Sequence, residues 1–164
     1  QIEARLLVGA DGRDSFVREK VGLPVKRFSL SQDALAFTVE HARSHESVSA
    51  EIYFDGGPFT FVPLPKLGNI NQSAIVWMER SENAALLKAM SEFEFNQAIT
   101  KRSLEIFGPL KRTSNLNSWP AKVQLAKRLV ASRVALIGEA AHVIPPIGAQ
   151  GFNMSVQDLS LIHI

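Results

Sequence analysis

The chain has 164 residues, 46% of them hydrophobic, and a formal net charge of +2. That is apolar material for one ordinary globular core, and no basic cluster interleaved with aromatics points to a nucleic-acid partner. The absence of cysteine excludes disulfides and thiolate metal sites, and no apolar run approaches the ~18 residues of a membrane span.

In chain order, residues 4–9 form a nearly continuous apolar run, the pattern of a parallel strand covered on both faces. The turn Gly9-Ala10-Asp11-Gly12 follows, and Ser15 is placed to cap a short helix over Phe16 to Val21, with Gly22 at its stop. A strand that delivers a glycine-rich turn to a helix is a geometry for holding a phosphate, a sugar or a flavin against backbone amides. Leu23-Pro24 then marks a boundary.

From residue 34 to residue 78 the texture is that of antiparallel sheet. Residues 36–41 and 48–54 alternate, Asp55-Gly56-Gly57-Pro58 is turn chemistry, and 59–63 and 73–78 read as further strands around a turn at Leu67-Gly68-Asn69. This predicts a meander of about four strands with one face rich in aromatics. Residues 81–90 and 91–107 have helical spacing with serine caps, and Gly108-Pro109 ends the second. Residues 121–130 read as another strand. Residues 101–133 carry eight Lys or Arg against the single acid Glu105. They predict a basic face, either a solvated surface or an attraction for an anionic cofactor or a membrane surface.

A second strand, Val134-Ala135-Leu136-Ile137, leads into Gly138-Glu139-Ala140-Ala141-His142. The motif continues through Pro145-Pro146-Ile147-Gly148-Ala149-Gln150-Gly151-Phe152-Asn153 to Asp158, with a helix expected to begin near Gly151. His142 alone is equally readable as a satisfied structural histidine. His41, His45 and His163 share no metal-ligand spacing with it, so no metal is expected.

The pairing of GADG…S..R with G-[acid]-A-A-H…P..G.QG.N…D resembles the FAD-dependent aromatic hydroxylases of the p-hydroxybenzoate hydroxylase type. Residues 57–65, 74–77 and 126–138 are similar to the ubiquinone-biosynthesis hydroxylase branch. The resemblance implies that Asp11 and Gly12 lie near the FAD pyrophosphate and the nicotinamide coenzyme, and that Arg18 closes the same motif. It implies that Gly138, Glu139, Ala140 and His142 belong to the FAD site. Glu139 stands where Asp is usual to accept a ribityl hydroxyl. Pro146, Gly148, Ala149, Gln150, Gly151, Phe152 and Asn153 would wrap the flavin ring, with Pro146 beside its reactive edge. Gly148-Ala149 stands where the family often has Ala-Gly. Phe61 and Trp77 are core by residue type, but the family places this sheet over the flavin, which makes them candidate substrate contacts.

The expected fold is therefore α/β with α+β character. Part of a Rossmann-like FAD-binding domain (residues 1–22 and 131–164) holds an inserted substrate domain of antiparallel sheet and helices (residues 23–130). The resemblance implies an enzyme that hydroxylates an aromatic ring with FAD, NAD(P)H and O₂. Its expected substrate is a prenylated phenol of ubiquinone biosynthesis, the alternative being a small soluble aromatic. Peripheral association with the inner membrane or with a biosynthetic complex, from the cytoplasmic side, goes with that substrate. The sequence lacks the G-x-G-x-x-G turn that would hold the ADP half of FAD, since Gly9-Ala10-Asp11-Gly12 has neither the spacing nor the following acid. The stretch is expected to be an internal piece of a longer protein that by itself binds FAD poorly or has no catalysis of its own. Residues 160–164 break the amphipathic pattern and are expected to be a non-native end.

Overall fold

The computed structural model describes residues 3–162. Its elements are β1 (Leu7–Gly9), α1 (Phe16–Lys20), β2 (Val25–His41), β3 (Ala50–Phe54), β4 (Gly57–Leu67), β5 (Ile70–Arg80), α2 (Ser81–Ala89), α3 (Glu92–Arg102), β6 (Leu110–Arg112), β7 (Asn117–Ala126), β8 (Val130–Ala131), β9 (Val134–Leu136), β10 (His142–Val143) and α4 (Gly151–Ile162). Short 3-10 turns cover Gly138–Ala140 and Ile147–Ala149. Two compact units divide the chain, one reaching to Leu30 and resuming at Lys122, the other spanning Ser31–Ala121. These limits fall inside the boundaries read from sequence, within the long strands β2 and β7 rather than at Pro24 or Val130.

In the first unit β1 pairs in parallel with β9, placing Leu7 beside Val134 and Gly9 beside Leu136, and β8 continues the sheet beyond β9. A Cβ on Gly9 would lie 2.8 Å from Leu136 Cδ2 and 3.0 Å from Val17 Cγ1, so only glycine lets α1 and β9 pack this closely. Ser15 caps α1 by accepting from the Arg18 N–H, and Gly22 ends it at φ +66. Leu23, Leu136, Ala140 and Ala141 form the core with Val17, Val21, Ala126 and Ala131 against it. Among the described residues β1 does not have the expected cover on both faces. β1 is an edge strand, and Leu6, Leu7 and Val8 are 48%, 49% and 38% exposed.

In the second unit the strand order is β2-β5-β4-β3, with β6 also on β2, and every pairing is antiparallel. Side chains alternate between faces. One face sends Leu35, Phe37, Val39, Phe59, Phe61, Ile75 and Trp77 into a core that Ala84 and Leu87 of α2 and Phe95 and Ile99 of α3 complete. Burying each large side chain contributes roughly 1.5–3 kcal/mol. Ser91 and Glu94 form a full capping box on α3. The other expected cap is absent: Ser81 is already helical, and its hydroxyl donates to Asp33 Oδ1 at 2.9 Å. The second helix also stops short of Phe107, because Leu104 and Glu105 turn left-handed at φ 51 and 54.

The basic segment is not one solvated face. In the second unit the Arg102 guanidinium lies 4.6 Å from the Phe54 ring and 5.7 Å from those of Phe59 and Trp77. Arg112 lies 5.2 Å over Phe95. Both spend their charge on aromatic faces. Among the described residues no helix is long and apolar enough to cross a membrane.

Candidate functional site

The two glycine motifs, far apart in sequence, meet in the first unit through Arg18. Its guanidinium is buried and donates to the Ala140 and Arg13 carbonyls, each at 2.8 Å. The Asp11 carboxylate accepts from the Ser15 hydroxyl and from the Val17 N–H at 3.0 Å. The Ser15 bond holds the Asp11 carboxyl below the usual carboxylate range, with the backbone N–H groups adding to it. The leading amides of α1 are thus already bonded to Asp11 and Ser15. Those amides are therefore not open to a phosphate, a sugar or a flavin. Gly12, at φ +84 with nothing within 4 Å of its Cβ position, offers open backbone instead.

The second motif turns at Gly138, φ +58, whose N–H donates to Asp158 Oδ2 at 2.8 Å. The same oxygen lies 2.7 Å from His142 Nε2, so the imidazole carries its Nε2–H toward Asp158. Ser155, three residues before Asp158 and on the same face of α4, packs 3.1 Å from the Gly138 Cβ position. Ala140 is fully buried and takes part through its carbonyl alone. Glu139 reaches outward to Arg13, Oε2 to Nε 3.5 Å, with both side chains more than half exposed.

A cleft of about 280 Å³ opens between the motifs, lined by Ala10, Gly12, Ile137, Gly138, Glu139 and Ser155. Three predicted residues, Gly12, Gly138 and Glu139, are on its wall. Arg18, Ala140, His142 and Asp11 are behind it and hold it together. Asp158 closed the sequence motif, but its organising role is visible only in three dimensions, as is that of Ser155.

Downstream, the Ile147 N–H bonds the Pro145 carbonyl at 2.8 Å across Pro146, whose φ −75 and ψ 44 make an inverse γ-turn. Gly148 is left-handed at φ +61, so glycine stands where this turn needs it, followed by Ala149 in the same 3-10 turn. Gln150 Nε2 closes the turn on the Gly148 carbonyl at 3.0 Å, and Asn153 Nδ2 bonds Gln150 Oε1 at 3.3 Å. Helix α4 starts at Gly151, as expected, with Phe152 77% exposed. Its first amides carry the positive end of a 12-residue helix.

The family model described as FAD binding domain matches residues 1–163. The chain belongs to the FAD-binding domain family. It is 36% identical over 161 residues to ubiquinone hydroxylase UbiL of Rhodospirillum rubrum, covering 98% of this chain and 37% of the relative. It is 30% identical over 197 residues to mouse ubiquinone biosynthesis monooxygenase COQ6, covering 99% of this chain and 40% of the relative. Among solved structures, Pseudomonas aeruginosa PqsL in complex with 2-aminobenzoylacetate matches with a TM-score of 0.72 at 25% identity, over 95% of this chain and 43% of that one. The chain thus spans about two fifths of the curated relatives' length.

The cleft of this FAD-binding domain fits part of such a cofactor. Two left-handed glycines line it, Gly12 facing open space and Gly138 so placed that a Cβ would lie 3.1 Å from Ser155 Oγ, so backbone rather than side chain is presented there. The one ionisable group on its wall, Glu139, accepts hydrogen bonds from hydroxyls, and Arg13 beside it offsets its charge toward phosphate. When bound, FAD supplies the redox chemistry.

A second cleft in the same unit, about 300 Å³, was not anticipated from sequence. Arg13, Arg27 and Lys122 line it with Asp14, Phe28 and Gln124. Gln124 fixes its shape by accepting from Arg27 Nε and donating to the Arg13 carbonyl, both at 2.8 Å. In the other unit, Phe61 and Trp77 prove to be core, 0% and 4% exposed and turned toward the helices. Their expected role as substrate contacts is corrected. The sheet face without helices is lined by their neighbours of opposite parity, Thr60, Val62 and Val76 among them.

Proposed function

We propose that the full-length protein is an FAD-dependent monooxygenase that hydroxylates a prenylated phenol in ubiquinone biosynthesis, with NAD(P)H as reductant and O₂ as oxygen source. The observation that carries this reading is the cleft where Gly12, Gly138 and Glu139 converge, in a chain 36% identical to a ubiquinone hydroxylase. Arg18 and Asp158 fix the two walls. Glu139 accepts a hydroxyl of the cofactor's sugar chain. The positive end of α4, together with Pro146, Gly148 and Gln150, orients the ring and favours negative charge upon it.

The second cleft supports the choice of a dinucleotide reductant. Three cations around Phe28 suit a phosphorylated molecule carrying a flat ring. A lipid-tailed substrate places the enzyme at the inner membrane, on its cytoplasmic side. The likeness to PqsL favours one alternative substrate class, a small soluble aromatic.

The test is hydroxylation by the full-length protein reconstituted with FAD. NAD(P)H consumption stimulated by a prenylated phenol, with matching hydroxylated product, supports the proposal. Equal consumption with and without any phenol, and no product, overturns it.

A further inference from the structure

We propose that Ser155 is a second hydrogen-bond acceptor on the wall of the first cleft, where Glu139 and Ser155 together recognise the hydroxylated chain of the flavin. This rests on the reading above that the cleft holds FAD, and it names the part of the cofactor that the wall selects.

The cleft lies wholly within the first unit, lined by Ala10, Gly12, Ile137, Gly138, Glu139 and Ser155. Ala10 and Ile137 are apolar and the glycines bring no side chain, so Glu139 and Ser155 carry all of its side-chain polarity. Ser155 stands in the second turn of α4 and is half-buried. Its Oγ donates to the Gly151 carbonyl at 2.9 Å, one turn back. That bond commits the hydroxyl hydrogen and leaves the oxygen lone pairs as acceptors. Gly138 keeps this oxygen within reach, since a Cβ there would stand 3.1 Å from Ser155 Oγ and crowd it.

The Glu139 carboxylate is likewise an acceptor. The donors behind the wall are engaged elsewhere. The Ile137 N–H bonds the Gly9 carbonyl at 3.0 Å, and the Gly138 N–H bonds Asp158. The Ser15 hydroxyl donates to Asp11, and Arg18 to the Ala140 and Arg13 carbonyls. Both polar side chains of the cleft therefore call for a donor. The cofactor's phosphate oxygens carry no hydrogens at neutral pH and gain nothing from either. A carbon chain with hydroxyls at successive positions offers a donor to each, with a charge-assisted bond at Glu139 and a neutral one at Ser155.

The experiment titrates the full-length protein, freed of its flavin, with riboflavin and with lumiflavin, which keeps the ring and carries a methyl group in place of the hydroxylated chain. Quenching of flavin fluorescence reads both affinities. Wild type is expected to bind riboflavin more tightly, and Ser155→Ala to lose about fivefold of that preference, the worth of one hydrogen bond between neutral groups. Lumiflavin affinity should stay as in wild type. An equal loss for both flavins marks a packing defect and overturns the proposal. An unchanged riboflavin preference in Ser155→Ala, or the absence of any such preference in wild type, overturns it too. Hydroxylation of a prenylated phenol by the FAD-loaded wild type is scored separately, so a failed activity and a failed recognition of the chain are told apart.

Discussion

The buried guanidinium of Arg18 donates to the carbonyl of Ala140 at 2.8 Å, tying together two turns separated by 122 positions. Its other terminal nitrogen holds Arg13, whose side chain lines both clefts of the first unit or reaches their rim. Arg18→Met should leave the buried Ala140 carbonyl unpaired, costing about 1–3 kcal/mol, while the Arg13 carbonyl keeps its bond from Gln124 Nε2. The expected outcome is a lower melting temperature together with loss of FAD on purification of the full-length protein. Retention of both would mean the clamp is dispensable.

Glu139 offers a contrast. Its pairing with Arg13 is solvent-exposed and worth at most about 1 kcal/mol. Glu139→Ala should hardly shift thermal stability yet weaken FAD binding about tenfold, the value of one hydrogen bond to a carboxylate. A flavin titration beside a thermal melt separates the two effects.

Asp158→Ala removes one acceptor from both the Gly138 N–H and His142 Nε2. Stability should fall by about 2–4 kcal/mol, since a charged acceptor serving two donors is lost. His142→Ala loses only one bond and should cost less. If the two variants cost the same, Asp158 does not organise the turn.

Gly148→Ala puts a Cβ on a residue at φ +61. The left-handed conformation costs roughly 1–2 kcal/mol for such a residue. Because Ile147–Ala149 lies just ahead of α4, flavin retention should drop more than global stability. Comparison of bound flavin with chemical denaturation checks this.

His41 provides the pH test. Burial pushes its imidazole below the ordinary 6.5, and the neighbouring His45 ring adds to the effect. Its Nδ1 faces the Arg43 carbonyl at 2.8 Å and its Nε2 the Ser73 hydroxyl at 2.9 Å, partners that satisfy the neutral ring. The unfolded chain therefore binds the proton more readily. The stability from neutral His41 is complete above about pH 6.5 and is lost as pH falls from there toward its lowered value. Melting temperature should fall more steeply below that point in wild type than in His41→Gln.

Much of the site could be read locally. Ser15, Gly22, Ser91 and the start of α4 at Gly151 follow from capping chemistry that involves only a few neighbouring residues. Other features depended on distant partners. Alternation grouped Phe59, Phe61 and Trp77 on one face, but period two alone does not say which face helices will cover. Ser81 caps nothing because α2 already includes it, with its hydroxyl donating to Asp33, far away in sequence. Arg102 and Arg112 counted as surface charge until the fold laid aromatic rings beneath them. The three cations of the second cleft come from three separate segments, with no spacing to announce them.

The tight turn between Phe54 and Gly57, with Gly56 at φ +98, fixes the register in which Glu51 faces Thr60. A one-residue slip of that pairing would exchange the two faces of the hairpin. Phe59 and Phe61 would leave the core, and the carboxylate of Glu51 would turn into it. The turn that reverses the chain thus also decides which side chains are buried. Changes at that turn keep the core only where they keep the pairing of Phe54 with Gly57, whatever the residues between them.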